Sequence, residues 1–306
     1  MSVLRGRVLA LYVGLCAVWG STWLAIKVGL QDLPPLWFAG IRMGLAWALL
    51  TPFALAATAG RPARAQRKWM ALGGFLQIGL QYACIFSAEQ WIDSGLAALL
   101  FATFPIFVGV FAHVLLPGEP LTRRTLASAA LGLSGVAVIE APSGKTMFST
   151  ETRLLLLGSA LMLLASAVAA LANVLNKKYL SDVSPLRNVW SQTLVGSSLL
   201  LAFAAAVERG AVFHWTPRAL GALFYLAIFG TALPFVGLFW LLPRVPVAVI
   251  GMIPVIDTVI AVVLGSIVLS EAVSGRVLVG GVLILAGVLL VASPGPIVDR
   301  SAARPS

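Results

Sequence analysis

Long apolar runs separated by short polar segments form the dominant pattern along this chain. Ten such runs fall near 8–30, 36–57, 69–90, 94–116, 124–141, 153–176, 185–207, 217–242, 246–269 and 275–293. A run of about 20 apolar residues is long enough to cross the hydrocarbon core of a bilayer as a helix. The pattern therefore predicts an all-α polytopic membrane protein with ten transmembrane helices.

Composition supports this prediction and removes a soluble alternative. Apolar residues make up 60% of the chain, charged residues only 10%, and the mean hydropathy is +0.99. A soluble domain carries about 25% charged residues, which it needs to cover its core. The formal net charge is +10, but its basic residues lie mostly in the short connecting segments. Charge placed in this way reflects membrane topology, and we expect no nucleic acid partner.

The distribution of lysine and arginine predicts the orientation of the chain. If the N-terminus is cytoplasmic, fourteen basic residues fall on the inner side and five on the outer side. The positive-inside rule then places both termini in the cytoplasm. The first apolar run, 8–30, is longer than the hydrophobic core of a signal peptide, so we expect an uncleaved first helix.

Seven residue pairs recur between the two halves of the chain at two nearby offsets. Four pairs are 152 residues apart: Glu119 and Glu271, Arg124 and Arg276, Gly135 and Gly287, and Pro142 and Pro294. Three pairs are 150 residues apart: Lys27 and Lys177, Asp32 and Asp182, and Pro35 and Pro185. Each half holds five predicted helices, and an odd number makes the second copy enter the membrane from the opposite side. We predict two inverted repeats, 1–142 and 143–294, followed by a cytoplasmic tail, 295–306.

Three motifs resemble those of the EamA-type drug/metabolite transporter superfamily. They are WGSTWLAIK at 19–27, a proline-containing fourth helix that leads into GEPLT at 118–122, and a glycine-rich fifth helix. The resemblance implies that helices 1–4 and 6–9 surround a central cavity, with helices 5 and 10 bracing the outside. It further implies a bacterial inner-membrane exporter, closest to exporters of aromatic and other amino acids.

That resemblance also implies the partners. They are a small-molecule substrate, such as an amino acid or related metabolite, and the lipid bilayer. The chain would act as a monomer or homodimer and need no cofactor. Nucleosides or drugs are alternative substrates, and direction of transport is taken from the resemblance.

Polar side chains within the apolar runs are candidates for substrate binding, because they are costly in a membrane. Asp257 lies near the middle of the ninth run, where it either contacts substrate or protons or forms a structural hydrogen bond. Gln77, Gln81 and Tyr82 share one face of the third helix, with Phe86 one turn beyond. That face is expected to line the cavity, although interhelical hydrogen bonding is the competing interpretation. Asn173 is a further polar candidate in the sixth helix.

Aromatic residues deep in the runs are candidates for the cavity wall. We select Trp19, Trp23, Phe101 and Trp190 because they lie away from helix ends or next to polar residues. Walls of this kind suit planar or apolar substrate groups. Tryptophan near helix ends more often forms an interfacial belt.

Three prolines are expected to interrupt helices. Pro105 and Pro254 lie in the fourth and ninth helices, which occupy equivalent places in the two halves, and Pro234 lies in the eighth. Paired interruptions point to the binding site of a transporter. The competing interpretation is a packing kink, and either is compatible with a hinge.

Lys27 and Arg42 lie within two turns of the outer helix ends. They either draw an anionic group towards the cavity or extend to the lipid headgroups, and we favour the headgroups. Helices 5 and 10 carry small residues that suit close packing or dimer contact.

An intramembrane enzyme is the main alternative class. Gly132-Leu-Ser134-Gly resembles the GxSG motif of rhomboid-type proteases, with His113 or His214 as a base. The helix count does not fit that family, and packing explains the glycines. A passive channel would need a continuous polar pore, which the few polar faces do not supply.

Overall fold

The computed structural model describes residues 2–57, 62–116, 123–139, 150–245, 247–271 and 273–292, and within these ranges every regular element is helical. We label them α1 (Ser2–Gly29), α2 (Pro35–Ala56), α3 (Arg64–Ala88), α4 (Ser94–Leu115), α5 (Arg123–Ile139), α6 (Thr150–Tyr179), α7 (Pro185–Val207), α8 (Pro217–Leu241), α9 (Val247–Gly251 with Ile253–Val268) and α10 (Gly275–Ala292). Glu119, Pro142, Pro294 and the predicted tail 295–306 lie outside the described residues.

Eight of these helices, α1–α4 and α6–α9, are long and apolar enough to cross a membrane. Helix α10 contains a shorter apolar stretch, Gly275–Gly287, and α5 is 17 residues long. Large apolar side chains such as Phe53 and Ile267 are exposed on the outer surface, where lipid would solvate them. The all-α membrane fold is confirmed, while the count of ten spanning helices stays a prediction.

Two of the long helices contain a π-helical turn at equivalent places. The π-helix of α3 is Gly74–Leu80, and that of α8 is Ile228–Ala232, so that the two end 152 residues apart. A π-turn inserts one extra residue and disturbs the regular pairing of backbone carbonyls, which is why such turns are often found at functional sites. The hydrophobic pattern of the sequence contains no signal for them.

All three prolines of the sequence prediction lie in the first turn of a helical piece. Pro105 is the second residue of Phe104–Leu115, after a break in α4, and Pro254 is the second residue of Ile253–Val268, after a break in α9. Pro234 is the second residue after the π-helix of α8. Proline suits these positions because the first turn of a helix needs no N–H donor. Their role as hinges stays a prediction.

The helices pack in pairs that join the two halves: α1 with α9, α4 with α6, α2 with α7, and α5 with α10. In the α5–α10 contact, each helix places a glycine against a backbone carbonyl of the other. A Cβ at Gly135 would lie 2.5 Å from the Gly280 carbonyl oxygen, and one at Gly287 would lie 2.8 Å from that of Ser128. The small-residue faces of α5 and α10 thus pack against each other within one chain.

Lys27 and Lys177 make the same kind of contact in the two halves. Lys27 Nζ donates to the carbonyls of Glu89 and Ile92, both at 2.7 Å, just beyond α3. Lys177 Nζ donates to the Val245 carbonyl at 2.9 Å, just beyond α8. A cation beside the carbonyls at a helix C-terminus is electrostatically favourable. Lys27 therefore ties α1 to the end of α3, and the interpretation that it extends to headgroups is wrong.

Asp32 and Asp182 hold equivalent connections. Asp32 accepts hydrogen bonds from Thr216 Oγ1 and Arg218 Nε, both at 2.6 Å, at the start of α8. Asp182 accepts one from Gln66 Nε2 at 2.9 Å, at the start of α3. The bonds from Arg218 and then Thr216 hold the pKa of the Asp32 carboxyl well below its usual range.

Glu271 connects the second half to the start of α4. Its carboxylate accepts hydrogen bonds from the backbone N–H groups of Ser94, at 3.0 Å, and Gly95, at 3.1 Å. These N–H groups have no acceptor within their own helix, and the positive end of the helix dipole favours a carboxylate there. The repeated glutamate thus acts as a cap supplied by the other half.

Asp32→Asn is expected to lower the unfolding temperature in detergent modestly at neutral pH. The effect is modest because the Arg218 side chain is 54% exposed and water screens the pair. Since folding lowers the Asp32 pKa, the stabilisation is present above the unfolded pKa of about 3.9 and is lost as pH falls through the folded value. The difference between the unfolding temperatures of parent and variant, measured from pH 7 downward, should begin to shrink below about pH 4 and continue to shrink at lower pH. Asp182→Asn, whose partner is neutral, is the control and should change stability less at every pH.

Candidate substrate cavity

A partly open cavity lies between the helices of the two halves, and the space inside it together with its open mouth is about 630 Å³. It is lined by eighteen residues that come from α1, α3 and α4 of the first half and from α6, α8 and α9 of the second. Eight of the ten predicted substrate-binding residues line the cavity: Trp19, Trp23, Gln77, Gln81, Tyr82, Phe101, Asn173 and Asp257. Pro254, one of the three predicted helix interruptions, lines it as well.

Helices α2 and α7 contribute no lining residue among those described, although the family resemblance implied that they would. These two helices pack closely on each other: a Cβ at Gly40 of α2 would lie 2.8 Å from the Leu201 side chain of α7. Gly196 of α7 also lies against Ile78 and the Gly74 carbonyl of α3. The pair therefore supports the cavity from behind.

Aromatic rings form much of the cavity wall and contact each other across helices. The centroids of Trp23 and Phe101 are 5.4 Å apart, and those of Trp19 and Phe235 are 5.7 Å apart with nearly perpendicular planes. Phe235 also meets the ring of Tyr82 at 6.4 Å. Such edge-to-face contacts hold the rings in place while leaving an apolar surface for a ligand. Phe235 was not among the predicted binding residues, because an aromatic residue in a long apolar run carries no mark of its direction.

The polar face of α3 points into the cavity. Gln77 lies in the π-helix and Gln81 directly follows it, and their side chains are joined by a hydrogen bond from Gln77 Nε2 to Gln81 Oε1 of 3.1 Å. Both are buried. The structure therefore brings together the amides and the neighbouring Tyr82, as the spacing indicates, and their contact with substrate stays a prediction.

Asp257 and Asn173 face the cavity from the second half. Asp257 is 3% exposed and has a carboxylate oxygen without a hydrogen-bond partner. Asn173 Nδ2 donates to the Ala169 carbonyl of its own helix at 2.9 Å, which leaves its oxygen free. These groups add acceptor oxygens to a wall that is otherwise mostly apolar.

Two of the predicted residues, Phe86 and Trp190, lie away from the cavity. Phe86 lies one turn beyond Tyr82, whose ring centroid is 6.2 Å away, and its ring meets that of Phe38 of α2 at 5.1 Å. Trp190 stacks on Trp47 of α2 and donates from Nε1 to Thr51 Oγ1 at 2.9 Å. Both stabilise packing against α2, so their predicted place in the cavity is not observed.

Arg42 is the clearest residue that the sequence analysis placed wrongly. It is only 1% exposed, so its guanidinium does not extend to headgroups. Nε donates to Thr231 Oγ1 at 3.0 Å and Nη2 donates to the Gly230 carbonyl at 3.1 Å, both in the π-helix of α8. Its Cζ lies 4.9 Å from the Tyr82 ring centroid. A buried cation thus connects α2, the π-turn of α8 and the cavity wall.

Gln192, 150 residues after Arg42, occupies the equivalent place in the other half. It lies against Gly73 and Gly74, where the π-helix of α3 begins. Its Nε2 donates to Asn176 Oδ1 at 2.8 Å and Asn188 Oδ1 at 2.7 Å. Each π-turn is therefore contacted by a buried polar side chain from the other half, charged in one case and neutral in the other.

The glycines around Ser134 take part in packing. Gly132 lies against Ile106 of α4 and Gly135 against the backbone of α10. His214 lies in the connection between α7 and α8, where its backbone N–H donates to the backbone carbonyl of Asp32 at 2.9 Å. Among the described residues there is no group of three or more His, Cys, Asp or Glu placed to bind a metal.

Membrane-crossing helices surround a partly open cavity and make matching contacts in the two halves of the chain, which places this protein among the polytopic membrane proteins. Residues 5–141 and 156–293 each match the EamA-like transporter family. The chain belongs to that family, and it is a membrane transporter.

Relatives agree with this assignment over nearly their whole length. A probable amino-acid metabolite efflux pump of Salmonella typhimurium is 30% identical, with 89% of this chain and 90% of that protein covered. The transporter YoaV of Bacillus subtilis is 28% identical, with 91% and 94% covered. A solved crystal structure superimposes with a TM-score of 0.67 at 19% identity, covering 93% of this chain and 96% of the other, and this likeness concerns the fold alone.

Proposed function

We propose that the chain is a secondary transporter that exports amino acids, aromatic and other neutral ones, or related small metabolites by alternating access. The observation that carries the proposal is the cavity, to which equivalent helices of both halves contribute: α1, α3 and α4, and α6, α8 and α9. Substrate sites at the interface of inverted repeats are the general arrangement in such carriers.

The chemistry of the wall supports the substrate class. Aromatic rings offer stacking area for planar or apolar side chains, and glutamine, asparagine and aspartate offer hydrogen bonds to a polar head group. The relative from Salmonella typhimurium, named as a probable amino-acid metabolite efflux pump, is consistent with this class.

The proposal includes topology. We place the protein in the bacterial inner membrane with both termini cytoplasmic, as a monomer or homodimer. The two repeats, 1–142 and 143–294, would move relative to each other, with α4, α8 and α9 bending near Pro105, Pro234 and Pro254. The π-turns of α3 and α8 supply further points at which the helices change geometry.

Counterflow into proteoliposomes tests the proposal. Vesicles loaded with unlabelled phenylalanine should accumulate radiolabelled phenylalanine, and saturation of the rate with substrate concentration would distinguish a carrier from a channel. Exchange of nucleosides or drugs without any amino acid would contradict the substrate class and leave the carrier in place. Failure of every solute to exchange would contradict the proposal as a whole. Protein-free vesicles are the control.

A further inference from the structure

Four buried polar atoms on the cavity wall lack a well-formed hydrogen bond within the protein. They are the indole nitrogen of Trp23, one amide atom of Gln77, the amide oxygen of Asn173 and Oδ1 of Asp257. The Trp23 indole faces the Asp257 carboxyl as a donor, without the geometry of a full hydrogen bond. Their side chains are no more than 5% exposed. Buried polar atoms are nearly always paired in folded proteins, because leaving one unpaired costs free energy. Their grouping around one cavity indicates that a bound ligand supplies the partners.

The hydrogen bond of Asn173 defines which of its amide atoms is free. Asn173 Nδ2 donates to the Ala169 carbonyl at 2.9 Å, so exchanging its nitrogen and oxygen would place two oxygens together. Gln77 is bonded to Gln81 at 3.1 Å, and because both amides can be exchanged together, Gln77 offers either an oxygen or an N–H group to the cavity. Asn173 Oδ1 and the Asp257 carboxyl are therefore the acceptors of the wall, against the single indole donor of Trp23. A donor group on the ligand satisfies both acceptors.

The charges around the cavity favour the same ligand. None of its lining residues is basic within the part of the chain that the structure describes. The nearby cations are used elsewhere: Lys27 binds the carbonyls of Glu89 and Ile92, and Arg42 binds the π-turn of α8 behind Tyr82. A carboxylate in the cavity would meet no cation there. An ammonium group would meet the Asp257 carboxylate and the amide oxygen of Asn173.

This inference rests on the proposed function: we propose that the cavity selects its substrate by a protonated amino group, which Asp257 and Asn173 bind. A carboxylate on the same molecule is dispensable. The substrate class is then primary amines with an aromatic or branched apolar body, of which amino acids are one case. The aromatic wall holds that body, and the faces of its rings also attract a cation.

Three probes of similar size separate amine recognition from carboxylate recognition. Purified protein in detergent is incubated with 2-phenylethylamine, phenylalanine or 3-phenylpropionate, and binding is measured as the rise in unfolding temperature and as Kd. The amine and the amino acid should bind with similar affinity, whereas 3-phenylpropionate should bind at least about tenfold more weakly. Equal or tighter binding of 3-phenylpropionate, or binding of none of the three, would overturn the inference.

Variants locate the site. Asp257→Asn keeps the shape of the side chain but removes its charge, and it should weaken 2-phenylethylamine binding about tenfold or more. Asn173→Leu, of similar size, should also weaken it and serves if Asp257→Asn does not fold. Asp182→Asn removes a carboxylate outside the cavity and is the matched control. Unchanged affinity in both cavity variants would contradict the inference.

Binding and flux are measured separately, so that the results distinguish failure of the proposed transport function from failure of the proposed amine site. Binding of amines without counterflow would contradict the transport function and support the amine site. Counterflow of 3-phenylpropionate in preference to the amine would support a carrier and overturn the amine site.

Discussion

Arg42→Met is expected to reduce counterflow by about tenfold or more while leaving the unfolding temperature level or raised. A hydrogen bond from a charged donor contributes about 1.5–3 kcal/mol. Because about 1.4 kcal/mol corresponds to a factor of ten, losing one such bond in the transport cycle accounts for a tenfold slower counterflow. Arg42 makes such bonds to the π-turn of α8 and lies over the ring of Tyr82 on the cavity wall. Without the Arg42 guanidinium, the π-turn of α8 and the Tyr82 ring could both change position.

Stability should not fall, because burying the guanidinium is itself costly. Arg42 is 1% exposed, so its guanidinium has lost nearly all of its hydration. The carbonyls it binds keep other donors, since Trp19 Nε1 donates to the Gly230 carbonyl at 3.2 Å and Thr231 Oγ1 donates to that of Leu226 at 3.0 Å. Replacing a buried charge by an apolar side chain of similar size is often neutral or stabilising. A buried charge such as that of Arg42, which does not add to stability, indicates a role in function.

Gln192→Met in the other half is the matched control for Arg42→Met. Gln192 is neutral, and its loss leaves the amide oxygen of Asn188 without that donor. Its unfolding temperature should therefore fall, in contrast to that of Arg42→Met. If Arg42→Met lowers stability as much as Gln192→Met, and flux per folded molecule is unchanged, then Arg42 only holds the fold together.

Gly135→Val should destabilise the protein by about 1–3 kcal/mol, the range seen when a tightly packed contact is overfilled. The new Cβ would lie 2.5 Å from the Gly280 carbonyl oxygen, which is backbone and cannot rotate away. Helices α5 and α10 would have to move apart. Gly287→Val, at the equivalent contact with Ser128, should have an effect of the same sign and similar size. Unfolding in detergent measures both.

Gly221→Ala is the control for these glycine variants. A Cβ there meets no atom within 4 Å, and alanine is the better helix former, so stability should hold or rise. Flux per folded molecule should be retained in Gly135→Val, because α5 and α10 line no part of the described cavity. Loss of a dimer with unchanged monomer stability would contradict the intramolecular role of this face.

The hydrophobic pattern located the helices well but not their full lengths. The apolar run at 69–90 corresponds to α3, yet that helix begins at Arg64 within the polar connection. Likewise α6 extends from Thr150 to Tyr179, beyond the run at 153–176. Hydropathy records the part of a helix that lipid can solvate. A helix continues past that part wherever its backbone hydrogen bonds and contacts such as that of Gln66 with Asp182 support it.

The polar part of the cavity was predictable for an energetic reason. Gln77, Gln81 and Asp257 are too costly to face lipid, so their presence in apolar runs already indicates an inward direction. The aromatic part was predictable only in places. Trp190 and Phe86 are as suitable for packing between helices as for a cavity wall, and composition does not distinguish these environments.

The sequence by itself determined the membrane class, the approximate spans, the paired halves and the polar residues of the cavity wall. Only the tertiary structure decided which side of each helix faces the cavity, that α2 and α7 stay behind it, and that Arg42 and Gln192 contact the two π-turns. The physical reason is that lipid and protein interior are both apolar. A soluble helix reveals its buried side by contrast with water, whereas a spanning helix lacks that contrast, and packing between helices makes the choice.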